Sequence, residues 1–575
     1  MQRVFSMISI LILVSLACQT LLPTASLTPS PTATYTTTPS VTSTATVSPT
    51  PIPSSTPLPS ATATSTLAPN WLSADDFTVR YHPDDHLYVG DLVSLEIIPP
   101  QDAQLQDAQL TVRVDEPAGT QIGPVAFGAW GIAGRLQATL IWAWDTSGLS
   151  AGEHTLQFSI KPQDIEWSET VSLLPAEALP EHAITEWATL QIPCCDIHYL
   201  TNTASARDIQ ILSSIIEDMA QQAARQMNTN FDQRVVITLI PRLLGHGGFA
   251  NDEIHVSYLD RNYAANDWDR VVHHEMVHIL DGRLGGDLRP TLFVEGLAVY
   301  LSGGHYKPEL LMPRAAALLD NQLGWYLPLQ ALADDFYASQ HEIGYLEAGA
   351  LVEYMLQAYG WEAFSAFYRD IHPVAGGKQS DAIDAALQRH FNITFSQLEE
   401  NYVNALKTTS TTPEWVADVH ITVTLFNTMR RYQQVLDPSA YFRTAWLLDS
   451  KQLRQNGISA DFTRHPESAE NLALEVMFIS AGEDLDLPPY PQANRLLKAV
   501  NTVLDALEQG HPEPFSADSL ANDYYSIVKV LLDSGQNPQT IYVDGHSAIV
   551  EVGSGGDALE NLSFYKIDGE WQQLK

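Results

Sequence analysis

Residues 272–278, Val-His-His-Glu-Met-Val-His, combine two histidines and a glutamate at a spacing suited to metal chemistry. His274 and His278 are four residues apart, so on a helix their imidazoles lie on one face, one turn apart. Two such imidazoles can bind one metal ion at about 2.0–2.1 Å. Glu275 then stands beside the ion, where a carboxylate can take a proton from a metal-bound water that attacks a carbonyl. The segment predicts hydrolytic metal chemistry.

A His-Glu-x-x-His sequence also arises by chance, so the flanking residues must show that a helix carries it. Asn266 and Asp267 offer an N-cap with acidic residues in the first turn, and Gly282 offers a C-terminal stop. The apolar faces between them come from Val271, Val272, Met276, Ile279 and Leu280. These features predict a helix that places both histidines on one side.

Glu295 is the candidate third ligand, because it opens a second helical stretch after Pro290 and Thr291. Two histidines and one carboxylate leave a fourth position for water, as a catalytic zinc site requires. Asp281, three residues after His278, has two interpretations. It either orients a ligand imidazole through a hydrogen bond or is a solvated residue at the helix end.

His274, Glu275 and His278, followed by Glu-Gly-Leu-Ala at residues 295–298, resemble the gluzincin zinc metallopeptidases. The likeness is to the peptidase MA-like group related to aminopeptidase N and thermolysin, and it covers roughly residues 185–405. It implies that His274, His278 and Glu295 bind Zn²⁺ and that Glu275 is the general base. The connection at residues 281–289 is shorter than in those relatives and must be tight, which its glycines permit.

Residues 344–360 have a clear helical pattern and resemble the family segment that brings a tyrosine hydroxyl to the zinc. The resemblance implies that Tyr345 stabilises the transition state; the alternative is a packing role. His305, Tyr306 and His341 are further polar residues near the site by sequence.

The expected substrate specificity depends on residues 247–251, Gly-Gly-Phe-Ala-Asn. They fall where aminopeptidase N relatives carry Gly-Ala-Met-Glu-Asn, whose glutamate grips the amino terminus of the substrate. No glutamate stands at the matching place, which favours an endopeptidase over an aminopeptidase.

The elements before the motif form the order expected of a small mixed sheet packed on the metal-binding helix. We expect a strand at 188–199, a helix at 207–227, a strand at 234–240 and an edge strand at 253–258. In the gluzincin enzymes such an edge strand receives the substrate by backbone pairing.

Composition bounds the possible partners. The 575 residues are too many for a single hydrophobic core, and the net charge of −38 argues against nucleic-acid binding, which needs a basic surface.

The three cysteines form no disulfide framework. Because neighbouring cysteines can bridge only through a strained ring, Cys194 and Cys195 are expected to be a pair on a strand with one side chain buried; the alternative is a redox-active or metal-binding pair.

Residues 1–18 read as a secretory signal, with Arg3 before an apolar run that is too short for a membrane span. The run ends at Cys18, which resembles the lipidated cysteine of a bacterial lipoprotein; the alternative is an ordinary secreted protein. Residues 19–70 are rich in Ser, Thr and Pro, lack charge, and predict a disordered stalk. We therefore expect an extracytoplasmic protein, lipid-anchored to the bacterial cell membrane.

Three folded regions follow. Short alternating runs over residues 71–176 predict an immunoglobulin-like antiparallel β-sandwich. By the resemblance, residues 177–410 are expected to form the α+β gluzincin peptidase MA-like domain, and residues 411–575 are expected to form an accessory α+β domain.

The sequence thus predicts a zinc-dependent metallopeptidase that acts on peptide or protein substrates. The alternative is a cell-surface binding protein that keeps a weakly active or inactive metallopeptidase fold. Glu275 favours the enzyme, because a binding protein has no need of a general base between two ligands. The oligomeric state stays open.

Overall fold

The computed structural model describes residues 72–574, apart from 85, 106, 116–118, 132–133, 246, 265–266, 445–447, 466, 487–489 and 554–558. All described residues belong to one compact unit, Pro69–Lys575. The expected signal peptide, the stalk and Cys18 lie outside the described residues. Within the described ranges, no helix has both the length and the apolar character needed to cross a membrane.

The N-terminal region is built from two sheets that share one hydrophobic core. Their order is β1-β3-β7-β6 and β2-β9-β8-β4-β5, and every pairing is antiparallel except β2 with β9. Side chains such as Leu95, Trp144 and Phe158 fill the space between the sheets. This is a β-sandwich, while its immunoglobulin-like type stays a prediction. The strands are β1 (Thr78–His82), β2 (Leu87–Tyr88), β3 (Leu92–Ile98), β4 (Gln109–Val114), β5 (Gln121–Ala126), β6 (Gly128–Trp130), β7 (Arg135–Asp145), β8 (Gly152–Lys161) and β9 (Ile165–Leu174).

A second, mixed sheet has the order β10-β11-β12-β14-β13. Its strands are β10 (Trp187–Gln191), β11 (Cys195–Leu200), β12 (Val235–Ile240), β13 (Gly248–Ala250) and β14 (Ile254–Ser257). Two expectations were wrong. The segment 188–199 forms two antiparallel strands, and the edge strand is β13, not the segment 253–258. The chain turns at residues 251–253, where Asn251 N donates to Glu253 O at 3.0 Å, so β13 folds back outside β14.

Helices pack on this sheet and carry the motif residues. Those before residue 410 are α1 (Ala204–Gln226), α2 (Trp268–Leu284), α3 (Thr291–Ser302), α4 (Leu311–Ala317), α5 (Leu329–Asp334), α6 (His341–Tyr359), α7 (Trp361–Arg369), α8 (Gln379–Phe391) and α9 (Phe395–Thr408). Helix α2 continues past Gly282, which was expected to stop it, and ends at Leu284. The stop is Gly285, whose φ of 76° is a left-handed conformation that favours glycine.

The C-terminal region combines helices with an antiparallel sheet in the order β15-β16-β17-β18. Helix α10 packs on both sides, because Val419 and Val423 join the core of the preceding region while Ile421 and Leu425 join the C-terminal core. The elements are α10 (Pro413–Val435), α11 (Pro438–Thr444), α12 (Ser450–Gln455), α13 (Ala460–Thr463), α14 (Ala469–Glu483), α15 (Pro491–Glu508), α16 (Ser519–Asp533), β15 (Pro538–Asp544), β16 (Ser547–Val552), β17 (Glu560–Ile567) and β18 (Glu570–Gln573).

Cys194 and Cys195 form a disulfide between neighbouring residues. Both side chains are buried, so the expected pair with a single buried side chain was wrong. Cys194 lies in the turn that joins β10 to β11, and Cys195 is the first residue of β11. Cys195 N donates to Ile192 O across this turn at 3.2 Å. A turn allows the two side chains to meet, whereas neighbouring side chains of a strand point to opposite faces.

Candidate metal centre

Helix α2 presents the motif to the interior. Its N-cap is Asp267, whose side chain accepts a hydrogen bond from Arg270 N at 3.2 Å. His274 and Glu275 are buried on the helix face toward the site. His273 interacts instead with α1, since its Nε2 lies 2.9 Å from Gln226 Oε1. His273 is therefore excluded as the histidine that would bind a metal ion together with His278.

Three potential ligand atoms converge between α2 and α3. The Nε2 atoms of His274 and His278 lie 2.9 Å apart, and Glu295 Oε2 lies 3.4 Å and 3.2 Å from them. The ligand atoms of the three residues all fall within 4.8 Å of one another. Four tetrahedral ligands of zinc lie roughly 3.3 Å apart when each bond is about 2.0–2.1 Å. The spacing and the N₂O donor set fit a divalent metal such as zinc.

The three groups interact strongly with one another. Burial raises the pKa of Glu295, but the imidazoles of His278 and His274 outweigh it and hold that pKa well below its usual range. Burial also disfavours a charged His278, yet Glu295 raises its pKa to about 9. Glu295 Oε2 has no hydrogen-bond partner among the described residues. A buried carboxylate oxygen aimed at two imidazole nitrogens is a position that a cation would stabilise.

Close packing of α3 against α6 places Glu295. A Cβ on Gly296 would stand 2.4 Å from the backbone oxygen of Ala348, and one on Gly349 would stand 2.5 Å from Val299 Cγ1. No side chain fits at either glycine without displacing its neighbour. The two helices therefore approach closely enough for α6 to deliver Tyr345 to the same site.

Glu275 is the candidate general base. Its side chain is buried, and in the described part of the chain nothing hydrogen-bonds its Oε2 atom. Burial raises the pKa of Glu275 to about 8, against the opposing effect of His278. A cation held by the three ligand residues would favour the carboxylate form. Glu275 thus presents an unpartnered carboxylate oxygen beside the ligand set.

The structure brings the other polar candidates to this site as well. The ring centroid of Tyr345 lies 4.1 Å from that of His305 and 4.4 Å from that of His341. Burial lowers the pKa of His305 well below its usual value and that of His341 to about 3, so both are neutral at pH 7. Tyr306 lies behind them and donates to Glu342 at 3.3 Å, which also pairs with Arg430 of α10.

Asp281 fits neither of its two interpretations. It is buried, and it accepts hydrogen bonds from Arg289 Nε at 2.7 Å, Arg369 Nη2 at 2.6 Å and Tyr368 Oη at 2.9 Å. These bonds join the end of α2 to α7 and to the connection before α3. Asp281 therefore anchors the metal-binding helix, and among the described residues it forms no hydrogen bond to the Nδ1 atom of either ligand imidazole.

Sequence reasoning missed Tyr337. Its hydroxyl donates to Glu295 Oε1 at 3.0 Å, the oxygen that does not face the histidines. The residue lies in a short 3-10 helix, Phe336–Ala338, between α5 and α6. Neither periodicity nor motif spacing marks such a position, and only the folded chain shows it.

Comparisons with known proteins add little to this geometry. No protein-family model matches the chain, and no curated protein matches it. One similar solved structure is an aminopeptidase N family protein from Idiomarina loihiensis, at 10% identity and a TM-score of 0.29. The match covers 58% of this chain and 77% of that chain. A TM-score this low carries no argument, so the case for function depends on the site itself.

Proposed function

We propose that this protein is a zinc-dependent peptidase that hydrolyses peptide bonds of protein substrates, and more specifically an endopeptidase. One observation supports it above all. His274, His278 and Glu295 converge, and the buried carboxyl group of Glu275 stands beside them with an unpartnered oxygen. Three ligands with an open position and an adjacent base are the parts that metal-assisted hydrolysis needs.

Zinc, when bound, supplies a Lewis acid that polarises the scissile carbonyl and makes a water molecule more nucleophilic. The residues of the chain do the remaining work. His274 and His278 would hold the ion through their Nε2 atoms and Glu295 through Oε2, since these atoms face one another. Glu275 takes the proton of the attacking water and returns it to the departing amine nitrogen. Tyr345 donates a hydrogen bond to the oxygen on which negative charge develops.

Strand β13 is the proposed substrate-binding edge. It lies outermost in the mixed sheet, and the place for a Cβ on Gly248 is 3.5 Å from Glu275 Cγ. An extended peptide that pairs with this edge would therefore pass the general base. Residues 247–251 contain no carboxylate to hold an amino terminus, which supports cleavage within a chain.

The proposed location is outside the cytoplasm, with the chain held to the bacterial cell membrane through a lipid on Cys18. The support is the sequence of residues 1–70, an apolar run that ends at this cysteine followed by an uncharged Ser/Thr/Pro-rich segment.

The deciding experiment measures bound zinc and cleavage of an unfolded protein, with and without a chelator, in the parent and three variants. His278→Ala should lose most of the zinc together with the activity. Glu275→Gln should keep the zinc and lose turnover, because an amide cannot accept the proton of the water. The matched control is His273→Gln, which changes the neighbouring histidine that interacts with Gln226 and should keep both.

Three outcomes would contradict the proposal. Zinc content in His278→Ala equal to that of the parent would remove the metal assignment. Proteolysis by Glu275→Gln within about tenfold of the parent would exclude Glu275 as the base. A parent that binds zinc but cleaves no unfolded protein would favour the alternative, a binding protein built on this fold.

A further inference from the structure

Glu295 uses its two carboxylate oxygens for different purposes. Oε2 faces the imidazole nitrogens of His274 and His278 at 3.4 Å and 3.2 Å. Oε1 points the other way and accepts the hydrogen bond from the Tyr337 hydroxyl at 3.0 Å. A carboxylate whose second oxygen is engaged in a hydrogen bond is disposed to bind a metal through one oxygen only.

Tyr337 is held firmly enough to fix that orientation. Its neighbour Phe336 is buried and packs edge-on against Tyr345, with ring centroids 5.2 Å apart. The hydroxyl of Ser339 donates to Phe336 O at 2.6 Å and closes the turn. A Cβ on Gly344 would lie 2.5 Å from Ser339 Oγ, so the turn is packed directly on the start of α6. The backbone that carries Tyr337 is therefore tied to the wall of the site.

The Tyr337 side chain spans from solvent to the ligand. The residue is 63% exposed, yet its hydroxyl reaches the buried Glu295 and also interacts with Tyr345. The ring thus lies at the mouth of the site while the hydroxyl points inward. Removal of the oxygen alone would leave the ring and its packing unchanged.

We propose that Tyr337 is a positioning residue that holds Glu295 as a one-oxygen metal ligand and thereby keeps a coordination position open for the reaction. The inference depends on the proposed zinc site. Without the hydroxyl, Glu295 Oε1 would lose its partner and become available to the metal as a second oxygen. Two-oxygen binding by Glu295 would occupy the position that the reacting groups need.

The test compares Tyr337→Phe with the parent in two measurements that do not depend on activity. The first is zinc affinity by competition with a chromophoric chelator, where loss of a hydrogen bond to a ligand costs about 10- to 100-fold. The second is the visible spectrum of the cobalt-substituted protein, because four-coordinate cobalt absorbs more strongly than five-coordinate cobalt. We expect weaker zinc binding and weaker cobalt absorption in Tyr337→Phe.

The matched control is Tyr300→Phe, a variant on the same helix as Glu295. Tyr300 lines a groove with Gln226, Leu301 and Trp361 instead of the metal site. It should keep the zinc affinity and the cobalt spectrum of the parent.

Each outcome decides something. An unchanged cobalt spectrum in Tyr337→Phe overturns the role of Tyr337 whether or not the zinc affinity falls, because Glu295 would then bind the metal as it does in the parent. If the parent still binds zinc and cleaves protein, the proposed function stands without it. A parent that binds no zinc overturns both proposals. An equal loss of affinity in Tyr300→Phe would show a general packing effect and would also overturn the specific role.

Discussion

Gly248 on the edge strand and Glu275 on the metal-binding helix are so close that a Cβ on Gly248 would lie 3.5 Å from Glu275 Cγ. The same Cβ would stand 2.9 Å from the backbone oxygen of His255 and 2.9 Å from Val271 Cγ1. Such distances force a shift, because neither the backbone nor a partly buried valine packed against the core can move freely. Glycine at position 248 thus lets β13 lie directly beside the base.

Gly248→Ala should therefore move β13 away from α2 and lower kcat/KM by on the order of 10- to 100-fold, since misplacement of a substrate by about 1 Å has that effect. Zinc content should stay unchanged, because the residue touches no ligand. The control is Gly148→Ala in the β-sandwich, where a Cβ meets nothing within 4 Å. A parent-like kcat/KM in Gly248→Ala would contradict the role of β13.

Tyr345→Phe should lower kcat by on the order of 10²–10³ with nearly constant KM, because the hydroxyl acts on charge that develops in the transition state. The ring packing and the zinc should survive. Tyr354→Phe, on the same helix, is the control. A fall below about threefold, far from the cost of a lost oxyanion donor, would make Tyr345 a packing residue and His305, Tyr306 or His341 the next candidate.

Gly296→Ala should destabilise the protein by about 3 kcal/mol, because its Cβ would lie 2.4 Å from the Ala348 oxygen and push α3 from α6. Urea unfolding measures the change. Gly282→Ala is the control, since its Cβ would meet only the Arg289 guanidinium at 3.5 Å, and alanine favours a helix. Equal stability of Gly296→Ala and the parent would refute close packing between the helices.

His255 should make stability depend on pH. It is buried beside Phe249 and hydrogen-bonds Ser450, and burial lowers its pKa from 6.5 to about 4. Between these two pH values the unfolded chain binds more protons than the folded chain, so stability falls as pH drops through this window and no further below it. The contribution that is lost is about 3 kcal/mol.

His255→Gln removes the titrating group, so its unfolding midpoint in urea should change less between pH 7 and pH 4 than that of the parent. The exposed His511→Gln serves as the control. The slope with pH is the readout, because the substitution also changes the hydrogen bond to Ser450 at every pH. An identical pH dependence of the unfolding midpoint in His255→Gln and the parent would show that His255 does not cause the loss of stability at low pH.

Cys18→Ser should release the chain from the membrane fraction, because the expected lipid attaches to the thiol. Fractionation of cells and the mass of the mature N-terminal peptide check this prediction. Co-fractionation of Cys18→Ser with membranes to the same extent as the parent would place the anchor elsewhere.

The features that the sequence predicted correctly are those determined by interactions between residues close together along the chain. His274 and His278 lie four residues apart on one helix, so helical periodicity alone indicated a shared face, and the structure places their side chains together. The helix expected at 207–227 was also predicted within a few residues, since α1 spans Ala204–Gln226. Each of these features is set by neighbours along the chain.

Only the tertiary structure decided the rest. Tyr337 donates a hydrogen bond to Glu295, which is 42 residues away in sequence, and Asp281 accepts one from Arg369, which is 88 residues away. Strand β13 forms the edge of the mixed sheet, in place of the expected segment 253–258, because the chain folds back at residues 251–253. Local sequence patterns indicate burial and turns, but they do not show which distant oxygen will accept a hydrogen bond from a given hydroxyl. That choice belongs to the packing of helices and sheet into one core.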